Sequence, residues 1–462
     1  MDLVEFERVA ESFARFHAEF APLFGRTEAR ERSEQYLRGL LVQQTDRRNA
    51  ENVAEVIAGA TPRTLQRFLT ESPWADQPVI DHLQGYVGPR LCSTLNVFVV
   101  DDTGFVKQGV KSVGVARQYS GTLGKVANCQ VGVFLAYVSE RGHALVDKAL
   151  YLPEAWTAAR ARCRAAGVPE EVLYHSKAEL ALGLLQHARD GQHLPGDWIT
   201  ADAGYGEVPS FRDALDADHW RYVLEVPSNL TVFTQPARTA VPEWSGRGRK
   251  PTQLQLVAGE PEPQNVMTVA KGLPASGWQT LTVAEGAQGP RQYQFAALRG
   301  WENREGVPGR ACWLLFRRNL DGSDLKPYLS NAPADTPLLT LARVSAMRWP
   351  VETEFQLEKG ETGLDEYEVR SWQGWHHHIT MALLAGAFLL SLQQAWGATM
   401  PQITRPQLTR VLRALLPQRM WTRAELWAWL HETQYRNECA KQAHAARRRV
   451  RQIIAAEQCN CS

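Results

Sequence analysis

Three charged side chains are spaced along one segment so that a single helical face would present them together. Glu352 follows Arg348 by four residues and precedes Lys359 by seven, and at about 100° per residue the three side chains fall within roughly 40° of one another. A carboxylate between two cations can bind a divalent metal ion while the cations hold phosphate oxygens. The same spacing is also typical of an exposed helix with ordinary ion pairs. Pro350 favours a first helical turn, so Arg348 could also stand just before the helix.

Two further acidic groups follow apolar stretches that predict buried strands. One stretch ends in Asp101 and Asp102, and another ends in Asp202, after which glycines allow the chain to turn sharply. Ligands of open α/β sheets gather at the carboxyl ends of strands, so one of the paired aspartates could meet Asp202 and Glu352 there. Three carboxylates from separate elements suffice to hold Mg²⁺. Each acidic motif alone is more typical of an ordinary strand-to-loop turn than of a metal site.

Five blocks of sequence occur in the order of one known family. They are Val100-Asp-Asp-Thr-Gly-Phe105, Ser112-Val-Gly-Val-Ala-Arg-Gln-Tyr-Ser-Gly121, Gly124-Lys-Val-Ala-Asn-Cys-Gln130, Ala201-Asp-Ala-Gly-Tyr-Gly206 and Gly363-Leu-Asp-Glu-Tyr-Glu-Val-Arg-Ser-Trp372. On these blocks the chain resembles the DDE transposases of bacterial insertion sequences, and within them family seven-oh-one of the IS-four superfamily. The signature Tyr-x2-Arg-x3-Glu-x6-Lys of that superfamily coincides with Arg348, Glu352 and Lys359. Its tyrosine position is Ser345 here, which removes an aromatic phosphate contact.

The resemblance implies a DNA transposase that nicks the ends of its mobile element and joins the freed 3′ hydroxyls to target DNA. It implies two Mg²⁺ ions, for which Mn²⁺ can substitute, held by Asp101, Asp202 and Glu352. The implied partners are the double-stranded DNA of the terminal inverted repeats and of the target, bound by a synaptic homodimer. A domesticated or inactive descendant that acts as a sequence-specific DNA-binding regulator is the alternative. The intact acidic triad argues against it, whereas Ser345 and the near-neutral charge keep it open.

The choice between Asp101 and Asp102 as the first metal ligand stays open. Neighbouring strand residues point to opposite faces, so only one of them can face the ions. Ribonuclease-H-like nucleases usually carry this ligand as Asp-x-Ser/Thr, which favours Asp101 with Thr103. Strand ends often bulge, so Asp102 remains an alternative catalytic residue.

The order of predicted elements favours an α/β fold with a ribonuclease-H-like mixed sheet. Strands are predicted at 95–100, 128–138, 144–151, 198–201 and 220–226, and helices at 154–166 and 176–190. The predicted domains are a helical DNA-binding domain (1–85), the first part of the catalytic core (86–230), a β-rich insertion (231–335), the second part of the core (336–396) and a C-terminal helical region (397–462). The apolar segment 379–392 is too short for a membrane span and predicts a buried helix.

Charge limits how the chain could bind DNA. Lysine and arginine number 51 against 50 aspartates and glutamates, for a net charge of +1, so binding would depend on local basic patches. One predicted patch follows the first aspartates, and the second is a Gly-Arg loop in the insertion, a composition that linkers also show. The two patches are Lys107, Lys111, Arg117 and Lys125, and Arg247, Arg249 and Lys250. Arginines of the first helices are further candidates: Arg30, Arg32, Arg47, Arg48, Arg63 and Arg67.

Other polar residues carry weaker signals. Seven cysteines, an odd count, and a first segment without the order of a signal peptide favour reduced thiols in the bacterial cytoplasm and no membrane association. The run His376 to His378 diverges around a helix and favours packing or a DNA-facing surface over a metal site. Glu354, Glu358 and Glu361 lie on other sides of the helix from Glu352 and are expected to be solvated.

Overall fold

In the computed structural model, which describes residues 8–43, 47–121, 124–244, 249–286 and 289–460, most strands belong to one mixed sheet. The strands are β1 (Asn96–Val106), β2 (Ala116–Ser120), β3 (Lys125–Ser139), β4 (Gly142–Tyr151), β5 (Trp198–Ala201), β6 (Arg221–Glu225), β7 (Thr231–Phe233), β8 (Thr239–Ala240), β9 (Gln255–Leu256), β10 (Gln264–Asn265), β11 (Gln279–Gly286), β12 (Gly289–Arg304), β13 (Val307–Arg318) and β14 (Lys326–Ser330). The main path runs β10-β7-β12-β13-β14-β6-β5-β1-β3-β2, with β4 on β3 and β11 on β12.

Strand β1 lies between β5 and β3 within the sheet, and both of its faces are covered. Its first residues, Val97 to Val100, are fully buried, as expected of a strand that reads as a continuous apolar run. It pairs antiparallel with β3 and parallel with β5, and β5 pairs parallel with β6. The predicted mixed α/β sheet of ribonuclease-H-like type is confirmed.

The β-rich segment that follows β6 extends the same sheet. Strand β14 pairs antiparallel with β6, and β13, β12 and β7 continue outward from it. Only β8 and β9 form a separate two-stranded sheet among the described residues. The predicted β-rich character of the insertion is confirmed, with β11, β12 and β13 as its long strands. The domain boundaries at 230 and 335 stay a prediction.

Several helices of the first 91 residues pack against one long apolar helix, Trp372–Gly397. The α-helices of the described residues are α1 (Val9–Phe20), α2 (Thr27–Val42), α3 (Ala50–Val56), α4 (Pro62–Thr70), α5 (Asp76–Leu91), α6 (Glu154–Thr157), α7 (Arg160–Ala165), α8 (Lys177–Gly191), α9 (Ala203–Gly206), α10 (Pro209–Ala217), α11 (Val266–Lys271), α12 (Leu338–Ala346), α13 (Trp349–Leu357), α14 (Trp372–Gly397), α15 (Arg405–Leu415) and α16 (Arg423–Asn460). Helix α14 packs against α2, α4 and α5 and against β4. The rings of Phe13 and Phe16 lie 5.5 and 5.2 Å from that of Phe388, so the first helices share a core with α14.

Helix α14 is long and apolar enough to cross a membrane when judged by length and composition alone. Its mean hydropathy is 1.4 and 78% of its apolar window is buried inside the protein, and no other helix of the described residues passes the same criterion. The predicted buried helix over 379–392 is therefore confirmed as part of the core.

Two compact units divide the chain, Met1–Leu416 and Pro417–Ser462. The second unit is built on α16, which confirms the predicted helical C-terminal region. Its first turn is fixed by Thr422 and Glu425, each of which accepts a hydrogen bond from the backbone N–H of the other, at 3.2 and 2.8 Å. The rings of Trp421 and Trp429 meet edge to face nearby, with centroids 6.2 Å apart.

Candidate active site

A cavity of about 900 Å³ opens where β5 ends beside β1. Its lining includes every residue that the sequence proposed for the acidic centre and its flanking cations, namely Asp101, Asp102, Asp202, Arg348, Glu352 and Lys359. These side chains come from β1, from the turn after β5 and from the segment around α13. The cavity therefore brings together residues that are about 250 positions apart in sequence.

Asp202 is fixed by the turn that follows β5. Its carboxylate caps α9 and accepts the backbone N–H groups of Gly204 and Tyr205 at 3.0 and 3.3 Å. Gly206 closes this turn against the next strand, because a Cβ at that position would lie 1.9 Å from the carbonyl oxygen of Glu225. The absence of a Cβ at Gly206 therefore allows this turn to pack closely, and the turn directs the Asp202 carboxylate toward the cavity.

Arg348 joins three carboxylates. Its guanidinium donates to Glu352 at 2.6 Å and lies 3.5 Å from Asp101 and 3.7 Å from Glu225. Arg348 is the N-cap residue, and Pro350 stands in the first turn of α13. The alternative that Arg348 stands just before the helix is confirmed, and Arg348 still faces Glu352 across one turn. Glu225, at the end of β6, is a partner that the sequence did not indicate.

Lys359 reaches the cavity from a π-helical turn. Helix α13 ends at Leu357 and continues as the π-helix Glu358–Thr362, a local geometry that is often found at functional sites. The Lys359 ammonium donates to the Thr103 hydroxyl at 2.8 Å. The wider turn changes the angular spacing assumed from the sequence, yet Lys359 faces the same cavity as Arg348 and Glu352.

Two aspartates of the cavity, Asp101 and Asp202, are short of positive charge. Burial, followed by repulsion from Asp202, raises the pKa of Asp101 to about 7. Burial also raises the pKa of Asp202, although Arg348 opposes this shift. Burial alone would lower the pKa of Arg348, but Asp101 and Glu352 outweigh it and raise that pKa. A further cation would relieve this repulsion.

The donor set suits a hard divalent cation, since the cavity offers carboxylate oxygens from three elements. In the conformation seen for the described residues, however, no three His, Cys, Asp or Glu side chains lie close enough together to hold one metal ion. Arg348 lies between two of these carboxylates, because it binds Glu352 and faces Asp101 at the same time. An ion at these residues would have to compete with the guanidinium.

Asp102 faces a different cation. Its carboxylate accepts a hydrogen bond from the Lys177 ammonium at 2.8 Å and a longer one from the Tyr205 hydroxyl at 3.4 Å. The sequence analysis did not single out Lys177 or Tyr205. The signal for Lys177 was the pair Ser176 and Glu179, a capping box that makes Lys177 the first residue of α8.

The predicted DNA-contacting cations fall into two groups. Lys111, Arg117, Lys125, Arg249 and Lys250 are exposed, whereas Arg247 lies outside the described residues. Lys107 is bound within the protein: its ammonium lies 3.4 Å from the ring centre of Tyr367 and donates to the carbonyl of the same residue at 3.0 Å. Burial lowers the pKa of Lys107 to about 8.

The arginines of the first helices are not one exposed cluster. Arg30, Arg47, Arg63 and Arg67 are exposed and Arg32 is half-buried. Arg48 is 6% exposed and pairs with Glu366 at 3.2 Å. The expectation that Arg48 belongs to a surface patch is therefore wrong, because its guanidinium ties the first helices to the segment before α14.

The expectation that the other glutamates around α13 are solvated is also wrong for Glu354 and Glu358. Glu354 and Glu358 are buried, and Glu354 binds Arg405 at 2.7 Å and His143 at 2.5 Å. Burial would raise the pKa of Glu354, but Arg405 and His143 lower it to about 2. Burial and the charge of Glu354 raise the pKa of Glu358 well above its usual range. Glu361 accepts a hydrogen bond from Thr409.

Two other polar positions have structural roles. Ser345, at the tyrosine position of the signature, is buried and donates to the Ala342 carbonyl at 2.8 Å. His377 and His378 are buried and bond to the carbonyls of Trp74 and Gly363, each at 3.0 Å. Packing therefore accounts for the histidines, as expected, and no surface role is seen for these two.

This chain matches known proteins more closely by sequence than by comparison with solved structures. The sequence model described as DDE superfamily endonuclease matches residues 19–290. A protein of Microchaete diplosiphon, "Probable transposase for insertion sequence element IS701", is 26% identical over 204 residues, which are 44% of this chain. The chain spans half (50%) of the length of this curated relative. The NurA nuclease from Sulfolobus solfataricus matches 57% of this chain and 78% of its own at 11% identity and a TM-score of 0.26, too distant to bear on fold or function.

Proposed function

Because this chain belongs to the DDE superfamily endonucleases, we propose that it is a DNA transposase that cuts the ends of its mobile element and joins the 3′ hydroxyls to target DNA. Its substrates would be the double-stranded terminal inverted repeats and the target duplex, bound by a homodimer in the bacterial cytoplasm. The similarity to a protein named as a probable transposase supports this proposal.

One observation carries the proposal. Asp101, Asp202 and Glu352 line a single cavity together with Arg348 and Lys359. Acidic and basic side chains in one cavity are what a phosphoryl-transfer site on DNA requires, since a cation and a phosphodiester must be held side by side. The raised pKa of Asp101, caused by burial and by Asp202, supports a role for the carboxylates as cation ligands.

Each residue has a proposed part in the reaction. Asp101, Asp202 and Glu352 would hold two Mg²⁺ ions, or Mn²⁺ in their place. When bound, such ions activate water or a 3′ hydroxyl and stabilise the leaving oxygen. Arg348 and Lys359 would grip backbone phosphates and keep the scissile bond in line. No covalent bond between protein and DNA is required. The side chains of Arg348 and Lys359 already face the cavity in the protein without DNA.

The test is cleavage of a duplex that carries the inverted repeats found beside the gene. We expect Asp101→Asn, Asp202→Asn and Glu352→Gln each to lower Mg²⁺-dependent cleavage by at least about a hundredfold while end binding changes little. Asp190→Asn, at an exposed position on α8, is the matched control. Full cleavage by the Asp202 variant would refute the ligand assignment.

The same assay addresses the rival function, a DNA-binding regulator without chemistry. A wild-type protein that binds the inverted repeats tightly yet never cuts them in Mg²⁺ or Mn²⁺ would favour the regulator. The buried Ser345, which bonds its own helix, removes one phosphate contact of the signature but leaves Arg348, Glu352 and Lys359 at the cavity.

A further inference from the structure

A second lysine faces the candidate active site from the side of α8. The Lys177 ammonium donates to Asp102 at 2.8 Å, and both residues line the cavity that also holds Arg348 and Lys359. The side chain of Lys177 is 37% exposed and that of Asp102 is 24% exposed. The ion pair is therefore open to the solvent of the cavity, and a competing anion could reach the ammonium.

The backbone at Lys177 is held firmly although its side chain is accessible. The Ser176 hydroxyl accepts the Glu179 N–H at 3.2 Å, and the Glu179 carboxylate accepts the Ser176 N–H at 2.7 Å. Helix α8, which begins at Lys177, buries Ala181 and Leu185. A lysine on a rigid helix start can move its ammonium by several ångströms without disturbing the fold.

Both carboxylate oxygens of Asp102 face hydrogen-bond donors of the protein. Lys177 donates to one oxygen and the buried Tyr205 hydroxyl approaches the other at 3.4 Å. A carboxylate that an ammonium already neutralises has less to gain from a metal ion.

Asp101 is paired less closely. The Arg348 guanidinium lies 3.5 Å from it and closer to Glu352, at 2.6 Å. The two neighbouring aspartates therefore have different surroundings.

We propose that Lys177 binds a backbone phosphate of DNA in the cavity, and that Asp102 is a positioning residue that holds this ammonium in the DNA-free protein and is not a metal ligand. The inference rests on the proposed function. Arriving DNA exchanges the Asp102 carboxylate for a phosphate oxygen on Lys177. The cavity then grips DNA from the side of α8 as well as through Arg348 and Lys359.

The first test separates the two aspartates without using activity. Mn²⁺ binding to the full-length, DNA-free protein is followed by electron paramagnetic resonance. Asp101→Asn is expected to weaken Mn²⁺ binding by at least about tenfold, and Asp102→Asn by less than about twofold. A loss for Asp102→Asn as large as that for Asp101→Asn overturns the assignment of Asp102.

The second test measures how DNA affinity depends on salt, with the inverted-repeat duplex as the probe. Lys177→Met should lower the slope of log K against log salt by about 0.9, the value for one phosphate. Lys177→Arg should keep the wild-type slope. Lys271→Met, at an exposed lysine of α11, should also keep it. An unchanged slope for Lys177→Met shows that the lysine has only a structural pairing and overturns the inference.

A third measurement tests whether Asp102 acts through Lys177. Asp102→Asn should alter DNA affinity in the wild-type background but not in Lys177→Met, because the double variant has no ammonium to position. Equal effects of Asp102→Asn in both backgrounds contradict the positioning role. If the wild-type protein neither binds nor cuts the duplex, the proposed function fails together with the phosphate role of Lys177. Normal cutting with an unchanged slope refutes this inference alone.

Discussion

The guanidinium of Arg348 donates to the carboxylate of Glu352 at 2.6 Å, across one turn at the start of α13. The same group lies 3.5 Å from Asp101, so one cation of the chain stands between two carboxylates that come from different elements. A divalent cation at this site must therefore compete with Arg348. DNA phosphates, which also attract the guanidinium, would help to draw it away from Glu352.

This competition leads to a prediction for Arg348→Met. Removal of the guanidinium leaves Asp101 and Glu352 without their shared cation, so Mn²⁺ should bind the DNA-free variant at least about threefold more tightly than the wild type. Cleavage should nevertheless fall, because one phosphate contact is lost. Mn²⁺ titration and a cleavage assay measure the two effects separately. The control is Arg343→Met, at an exposed arginine of α12, and weaker Mn²⁺ binding by the Arg348 variant would contradict the competition.

Much of the site could be predicted from sequence because local patterns determine it. The apolar run before Asp202 ends where β5 ends, at Ala201, as predicted. The predicted end of the first strand at 100 is wrong, because β1 continues to Val106 and Asp101 and Asp102 lie within it. The spacing of Arg348, Glu352 and Lys359 predicted that their side chains point in one direction, and all three line the same cavity. The resemblance to the DDE family is confirmed by the family match over residues 19–290.

What the sequence could not give depends on partners that are distant in the chain. Glu354 was expected in solvent because helical periodicity shows only which face a residue lies on, and its partner Arg405 is on another helix. Lys177 lies on a predicted helix, but nothing local indicated that its ammonium would reach Asp102 on β1. The π-helical turn at Lys359 likewise carries no sequence period of its own.

The buried ion pairs of Arg405 predict that replacing this residue strongly lowers the stability of the protein. Arg405 is 3% exposed and compensates Glu354 at 2.7 Å and Glu358 at 3.8 Å. Arg405→Met should lower the free energy of unfolding by roughly 3–5 kcal/mol, because it leaves two buried carboxyl groups without their cation. Urea unfolding measures the loss. Arg410→Met, on the exposed side of the same helix, should change stability by less than about 0.5 kcal/mol, and similar losses in both variants would count against the buried network.

The hydrogen bonds of His187 to two aspartates predict how the stability of the protein changes with pH. His187 bonds Asp147 at 2.6 Å and Asp81 at 2.8 Å, and the hydrogen bond to Asp147, against the opposing effect of burial, raises the pKa of His187 to about 9. The folded state binds this proton more tightly than the unfolded state, so the contribution is complete below pH 6.5 and is lost as pH rises through about 9. It should amount to roughly 1–2 kcal/mol after solvent screening.

His187→Gln tests that contribution. Its stability should fall relative to the wild type at pH 6, and the two proteins should converge near pH 10, because the charged pair is gone from both. Thermal unfolding across this range gives the difference. His175→Gln, at an exposed histidine, should run parallel to the wild type at all pH values. A constant gap between His187→Gln and the wild type would instead indicate lost packing.

The last prediction concerns Lys359, whose ammonium rests on the Thr103 hydroxyl at 2.8 Å in the free protein. If it grips a backbone phosphate, Lys359→Ala should weaken complexes with pre-cleaved ends and flatten the salt dependence of binding by about one phosphate. Lys359→Arg should keep the slope, because the charge remains. Thr103→Val removes the resting contact while the charge is kept, so it should leave the slope intact. A Lys359→Ala protein with the wild-type slope would mean that this lysine only completes the packing between β1 and the π-helical turn.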